Sequence, residues 1–136
     1  MANIDPKITY TSTPEEIEVM QSKFDDALEQ IKGDLGADLP MIINGEDRAG
    51  SNRFDVIEPA HTSNVLATFP KGTHAEVDEA VAVAEAYQPE WAAKTPQERV
   101  DIIRAAANKI RERKFVISAV MIREAGKSRT EAIGEV

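Results

Sequence analysis

No cysteine occurs anywhere in this chain. Disulfides, thiolate metal sites and a cysteine nucleophile are therefore excluded within it. Histidine is nearly as scarce: His61 and His74 are the only two, and neither has a partner one helical turn away, so zinc finds no ligand pair. Aromatic residues are few, with one Trp, two Tyr and four Phe. No apolar run approaches the roughly 20 residues of a membrane span. The opening stretch MANIDPKITYTSTPEE has neither the apolar core of a secretory signal nor the Arg-rich, acid-poor character of a transit peptide. The expected address is cytoplasmic, in a prokaryote. No G-x-G-x-x-G fingerprint occurs. Gly126-Lys127-Ser128 ends like a phosphate-binding loop, but that motif needs a glycine where Met121 stands, and it should follow a strand.

Basic residues are the minority, 16 against 24 acids, for a net charge of −8. Such a field repels phosphate backbones and anionic lipid, so neither nucleic acid nor a membrane surface is an expected partner. What is present is enough for a core: 42% of the 136 residues are apolar, and a chain of that size buries roughly two-thirds of its unfolded surface.

Helix starts are the clearest local signals. Thr13-Pro14-Glu15-Glu16, Thr73-His74-Ala75-Glu76, Thr95-Pro96-Gln97-Glu98 and Ser128-Arg129-Thr130-Glu131 all have the capping-box form. In it a hydroxyl and a carboxylate three residues on satisfy each other's backbone N–H groups. After the first box, Ile17, Met20, Phe24, Leu28 and Ile31 recur at spacings of three and four, an amphipathic stripe ended by Gly33 and Gly36. After the second, Val77, Ala80, Val81, Ala84 and Tyr87 share a face, and Pro89 is expected to end the helix. After the third, the stripe is Val100, Ile103, Ala106, Ala107 and Ile110. Residues 115–122 are apolar nearly all round, the pattern of a helix buried on most sides, with Gly126 as its stop. The fourth box opens a helix with five residues left after Glu131, too few to hold alone. The chain is expected to be the front part of something longer.

Between the first two helices the texture changes. Met41-Ile42-Ile43 runs into the turn dipeptide Asn44-Gly45, and residues 54–57 and 65–69 read as two more short strands. The expectation is an α+β chain, mainly helical, with one small antiparallel β ribbon covered by helices. No catalytic constellation stands out.

The order of the pieces says more than any one of them. Ile43-Asn44-Gly45-Glu46 is followed by Ile57-Glu58-Pro59-Ala60 and Asn64-Val65-Leu66-Ala67-Thr68. Then come Val77-Asp78-Glu79-Ala80-Val81, the lone Trp91, Thr95-Pro96-Gln97-Glu98-Arg99, Ala105-Ala106-Ala107 and Glu124-Ala125-Gly126-Lys127. Over residues 40–136 this series resembles the N-terminal segment of the aldehyde dehydrogenase superfamily. The REAGK stretch with AIGEV after it, and an amphipathic helix before LGADLPMIINGE, resemble the branch that oxidises 1-pyrroline-5-carboxylate.

The resemblance implies several things. Residues 1–39 would be an N-terminal extension, and residues 40–136 the truncated first part of the cofactor-binding domain of an α/β, Rossmann-like enzyme. The complete enzyme would be a homo-oligomer that oxidises L-glutamate γ-semialdehyde to L-glutamate with NAD in proline catabolism. Its catalytic residues and NAD site would lie downstream, so this segment is expected to be inactive and to bind NAD poorly. A monovalent cation, Na⁺ or K⁺, would be held by the backbone carbonyls of Val56 and Ile57 and by the Glu124 carboxylate, with a further ligand from downstream. The family usually has asparagine where this chain has Glu58. A plainer role for Glu124 is to pair with an arginine or a helix end. The partner would be the remainder of the dehydrogenase. The competing reading is a stand-alone helical adaptor that docks on a dehydrogenase subunit or self-associates through exposed apolar helix faces.

Overall fold

The structure is a computed structural model and describes residues 12–136. It opens on helix α1, Pro14–Gln30, whose Thr13 accepts from the Glu16 N–H while the Glu16 carboxylate takes the Thr13 N–H. A 3₁₀ turn at Ile31–Asp34 tightens its end. Five short strands follow: β1 (Ala37–Asp38), β2 (Met41–Ile43), β3 (Glu46–Arg48), β4 (Arg53–Ile57) and β5 (Val65–Pro70). Four helices complete the chain: α2 (His74–Ala93), α3 (Pro96–Glu112), α4 (Lys114–Ala125) and α5 (Arg129–Glu135). The capping boxes at Thr73, Thr95 and Ser128 all form, as the sequence predicts. Gly126 ends α4 at φ 67°, the left-handed conformation that a residue without a Cβ adopts freely.

The strands depart from a single ribbon. β4 and β5 pair antiparallel, with Val56 opposite Ala67 and an irregularity between Val56 and Ile57. β1 adds to the other edge of β5 in parallel, Ala37 opposite Ala67. β2 pairs instead with β3, in a separate two-stranded sheet. The reason is the turn. Asn44 and Gly45 take φ 55° and 75°, the left-handed pair of a tight hairpin whose twist matches its strands. That turn fixes the polar residues Glu46–Arg48 opposite Met41–Ile43 before any longer pairing competes.

The core lies between α1, α4 and α5. Met20, Phe24 and Ala27 are buried on α1, Ile31 on the 3₁₀ turn after it, Ala119 on α4 and Ala132 on α5. Phe24 meets Phe115 edge to face, centroids 5.2 Å apart. The Arg129 guanidinium covers the Phe24 ring, donates to Gln21 Oε1 at 2.5 Å and pairs with Asp25 at 2.6 Å. Ser118 Oγ donates to the Ala132 carbonyl at 3.3 Å, which small side chains at the crossing permit. This core joins residues on both sides of the 39/40 boundary.

Two helices differ from expectation. Pro89 does not end α2, which runs on to Ala93. Proline removes one backbone bond, but Glu85, whose carbonyl loses it, is exposed and can be hydrated. The second difference concerns packing. α2 leans on β2 and α3 on α4, yet neither helix buries a single residue. Val77, Val81 and Tyr87 on one stripe, and Val100, Ile103 and Ile110 on the other, face water. Ala80 and Ala84 on the α2 stripe are exposed as well.

Substitution should expose this asymmetry. Phe24→Ala is expected to destabilise the chain by roughly 3–5 kcal/mol, whereas the exposed Val81→Ala stays within about 0.5 kcal/mol of the parent. Urea unfolding followed by circular dichroism measures both; equal losses would place the core elsewhere.

Candidate functional site

Charge, burial and concavity meet in the gap between the β4–β5 sheet and α4. A cavity of about 240 Å³ opens there. Its walls are apolar: Ile31 from the 3₁₀ turn, Leu66 and Phe69 from β5, and Val116 and Val120 from α4. Charge enters from α4 and the turns, through Arg113, Arg123, Glu124 and Asp34. Val56 lies on the wall; Ile57, the next residue of β4, does not.

Beside the cavity sits a carboxylate that periodicity does not reveal. Glu58 follows β4 and is only 6% exposed. A buried carboxylate must be paired and hydrogen-bonded to stay charged. Glu58 is both. Arg123 Nη1 lies 3.2 Å from each of its oxygens, and Asn64 Nδ2 donates to Oε2 at 2.9 Å. The mostly exposed His61 ring stands 3.6 Å away. Backbone bonds close the turn around it, from the Glu58 N–H to the Asn64 carbonyl and from the Asn64 N–H to the His61 carbonyl. Arg123 Nε is buried without a partner. The Asn64 hydrogen bond, with Arg123 and His61, holds the Glu58 pKa below the ordinary value against the upward push of burial.

The sequence-predicted cation residues are thus only partly assembled. Val56 and Glu124 share the cavity, and Ile57 lies outside it. Glu124 is exposed near the end of α4. Arg123, its neighbour in sequence, pairs with Glu58. Among the described residues no group of three or more His, Cys, Asp or Glu side chains could hold a metal ion. Gly126-Lys127-Ser128 links two helices, and Ser128 Oγ is engaged with Glu131 at 2.7 Å, which is a cap and not a phosphate loop. The hint of the Glu58–Arg123 pair in the sequence was a single one, the glutamate standing before Pro59 where the resemblance has asparagine.

Comparison with known proteins identifies the class. The aldehyde dehydrogenase family matches residues 46–136, and the chain belongs to that family. Its relatives narrow the branch. It is 35% identical over 131 residues to a 1-pyrroline-5-carboxylate dehydrogenase of Staphylococcus saprophyticus, covering 96% of this chain and 24% of that protein. It is 39% identical over 113 residues to the enzyme of that name from Staphylococcus haemolyticus, covering 83% and 22%. The fold superposes on a Thermus 1-pyrroline-5-carboxylate dehydrogenase with bound NAD at a TM-score of 0.84 and 25% identity, over 96% of this chain and 25% of that one. The Mycobacterium tuberculosis enzyme gives a TM-score of 0.71 at 27% identity, over 94% and 23%. The chain therefore spans about a quarter of the length of these relatives.

The Glu58 environment predicts a pH dependence. A folded pKa below the unfolded one means that the stabilisation is fully present above the ordinary value of 4.5 and is lost as pH falls through the folded value. Glu58→Gln should cost about 3 kcal/mol near neutral pH, the low end for breaking a buried pair, because Arg123 keeps 20% of its side chain exposed. The gap between variant and parent should close below pH 4.5. Urea unfolding across pH checks this; a gap that persists into acid would contradict it.

Proposed function

We propose that this chain is the N-terminal part of an NAD-dependent dehydrogenase that oxidises L-glutamate γ-semialdehyde, the open form of 1-pyrroline-5-carboxylate, to L-glutamate in proline catabolism. The observation that carries this reading is the match to 1-pyrroline-5-carboxylate dehydrogenases through nearly every element, α1 included, at 35% identity. In the balanced reaction aldehyde, water and NAD⁺ give carboxylate, NADH and two protons. NAD⁺ supplies the hydride acceptor. No residue of this chain is assigned to hold it, and without cysteine the chain has no thiol for attack on the aldehyde.

The part left to this segment is structural. Residues 1–39 form an extension that grips the rest through α1, and residues 40–136 begin the cofactor-binding domain. The exposed surface supports such a role. The chain exposes 9926 Å² at 14.9 kDa, where a compact monomer of that mass exposes about 7,000 Å². The exposed apolar side chains include Val77, Val81 and Tyr87 of α2 and Val100, Ile102, Ile103 and Ile110 of α3, which suits burial against the remainder of the dehydrogenase. An adaptor would expose similar faces, but the match favours the first reading because it covers 96% of the chain. The reading carries a cytoplasmic address. Among the described residues no helix is long and apolar enough to cross a membrane.

A chimera tests it. The chain replaces the matching N-terminal quarter of the Thermus enzyme, and absorbance at 340 nm follows NADH formed from 1-pyrroline-5-carboxylate. The chimera should form NADH and the 136-residue chain alone should form none. NADH from the chain alone, or a folded chimera without turnover, would contradict the proposal.

A further inference from the structure

We infer that the Arg123 guanidinium, clamped by Glu58, is a built-in cation that joins the β4–β5 turn to α4, and that it stands in for a monovalent ion between Val56, Ile57 and Glu124. The inference concerns this chain's own side chains and does not rest on the catalytic reading.

Three observations carry it. The first is the clamp itself. Arg123 Nη1 lies 3.2 Å from both Glu58 oxygens, and Asn64 holds the carboxylate from the other side at 2.9 Å. The contact spans 65 residues of sequence and ties the turn after β4 to the last turns of α4. These are the two places that a bound ion would have to bridge.

The second is the donor set. A hard cation needs several oxygens converging on one point. Of the residues expected to supply them, only Val56 and Glu124 reach the cavity. Asp34 adds one carboxylate, but the remaining side chains on the walls are Arg113 and Arg123, which bring donors and no acceptor, and aliphatic or aromatic groups.

The third is charge. Arg113 and Arg123 line the same cavity as Glu124. An entering Na⁺ or K⁺ would meet two fixed positive charges across low-dielectric walls. The negative groups facing the cavity are Glu124 and Asp34. Glu58, the acid that asparagine would not provide, is already matched to Arg123. The His61 ring approaches Glu58 from its solvent side and adds no acceptor to the cavity. Arginine suits the place because its charge is permanent and weakly hydrated, so it can be partly withdrawn from water.

Thermal unfolding of the 136-residue chain at one ionic strength, in sodium, potassium or tetramethylammonium chloride, decides the point. The parent should melt at the same temperature in all three salts. Arg123→Met should melt several degrees lower, because it leaves the buried Glu58 carboxylate without its partner charge. Arg123→Lys, which keeps the charge, should recover much of the difference, and Glu124→Gln should melt like the parent. A rise specific to Na⁺ or K⁺ that Glu124→Gln abolishes would overturn the inference and assign an ion site to Val56, Ile57 and Glu124. So would an Arg123→Met variant as stable as the parent. If Arg123→Met does not fold, the salt comparison on the parent still discriminates.

Discussion

One helix with no polar face sets the terms for everything packed around it. α4 carries Phe115, Val116, Ile117, Val120 and Ile122 around its circumference, so no single neighbour can cover it. α1 and the 3₁₀ turn after it cover one side through Phe24, Ala27 and Ile31. α5 crosses another where Ser118, Ala119 and Ala132 are small enough for backbones to approach. The sheet lies along a third side and leaves the cavity between. Arg129 then fixes α5 to α1 with two hydrogen bonds to Gln21, an ion pair to Asp25 and a stack on Phe24. Remove α4 and these elements lose the surface they share.

How much of this the sequence discloses depends on the range of the interaction. Four helix starts were readable because a capping box acts across three residues and needs nothing else. The hairpin turn at Asn44-Gly45 was readable for the same reason. Pairings were not. The polar residues Glu46–Arg48 form a strand because the turn places them opposite Met41–Ile43, against their own texture. β1 is two residues long and owes its existence to a neighbour some thirty residues away. Pro89 misled because the rule about proline describes a cost, and an exposed helix can bear it by hydrating the freed carbonyl. The candidate site was read in outline. Val56 and Glu124 do meet at one cavity, but the Glu58–Arg123 pair beside them has no periodic signature.

The apolar stripes of α2 and α3 show the opposite failure, a pattern read correctly whose consequence lies outside these residues. Period and spacing announce a buried face. Among the described residues α2 leans mainly on β2, with an ion pair from Arg48 of β3 to Glu79 at 3.1 Å, and α3 leans mainly on α4. A stripe prescribes that something covers it and does not say what. Membership of a family whose relatives are about four times as long supplies a reason why a sequence would keep such stripes without using them internally.

The Glu58–Arg123 pair belongs to a different logic from the core. Taking two charges out of water is expensive, and an apolar pair of the same volume often serves stability as well or better. A salt bridge at this position is therefore poorly explained by stability alone. What it provides that an apolar contact does not is a fixed register. The carboxylate accepts from Asn64 on its own turn and from Arg123 on α4, so the turn and the helix can meet in only one way. Since α4 runs directly into Gly126 and the cap of α5, that register carries on into the helix that closes the core at Ala132. A charge pair at the edge of the cavity thus orients α4, the helix that the Phe24–Phe115 contact binds to α1.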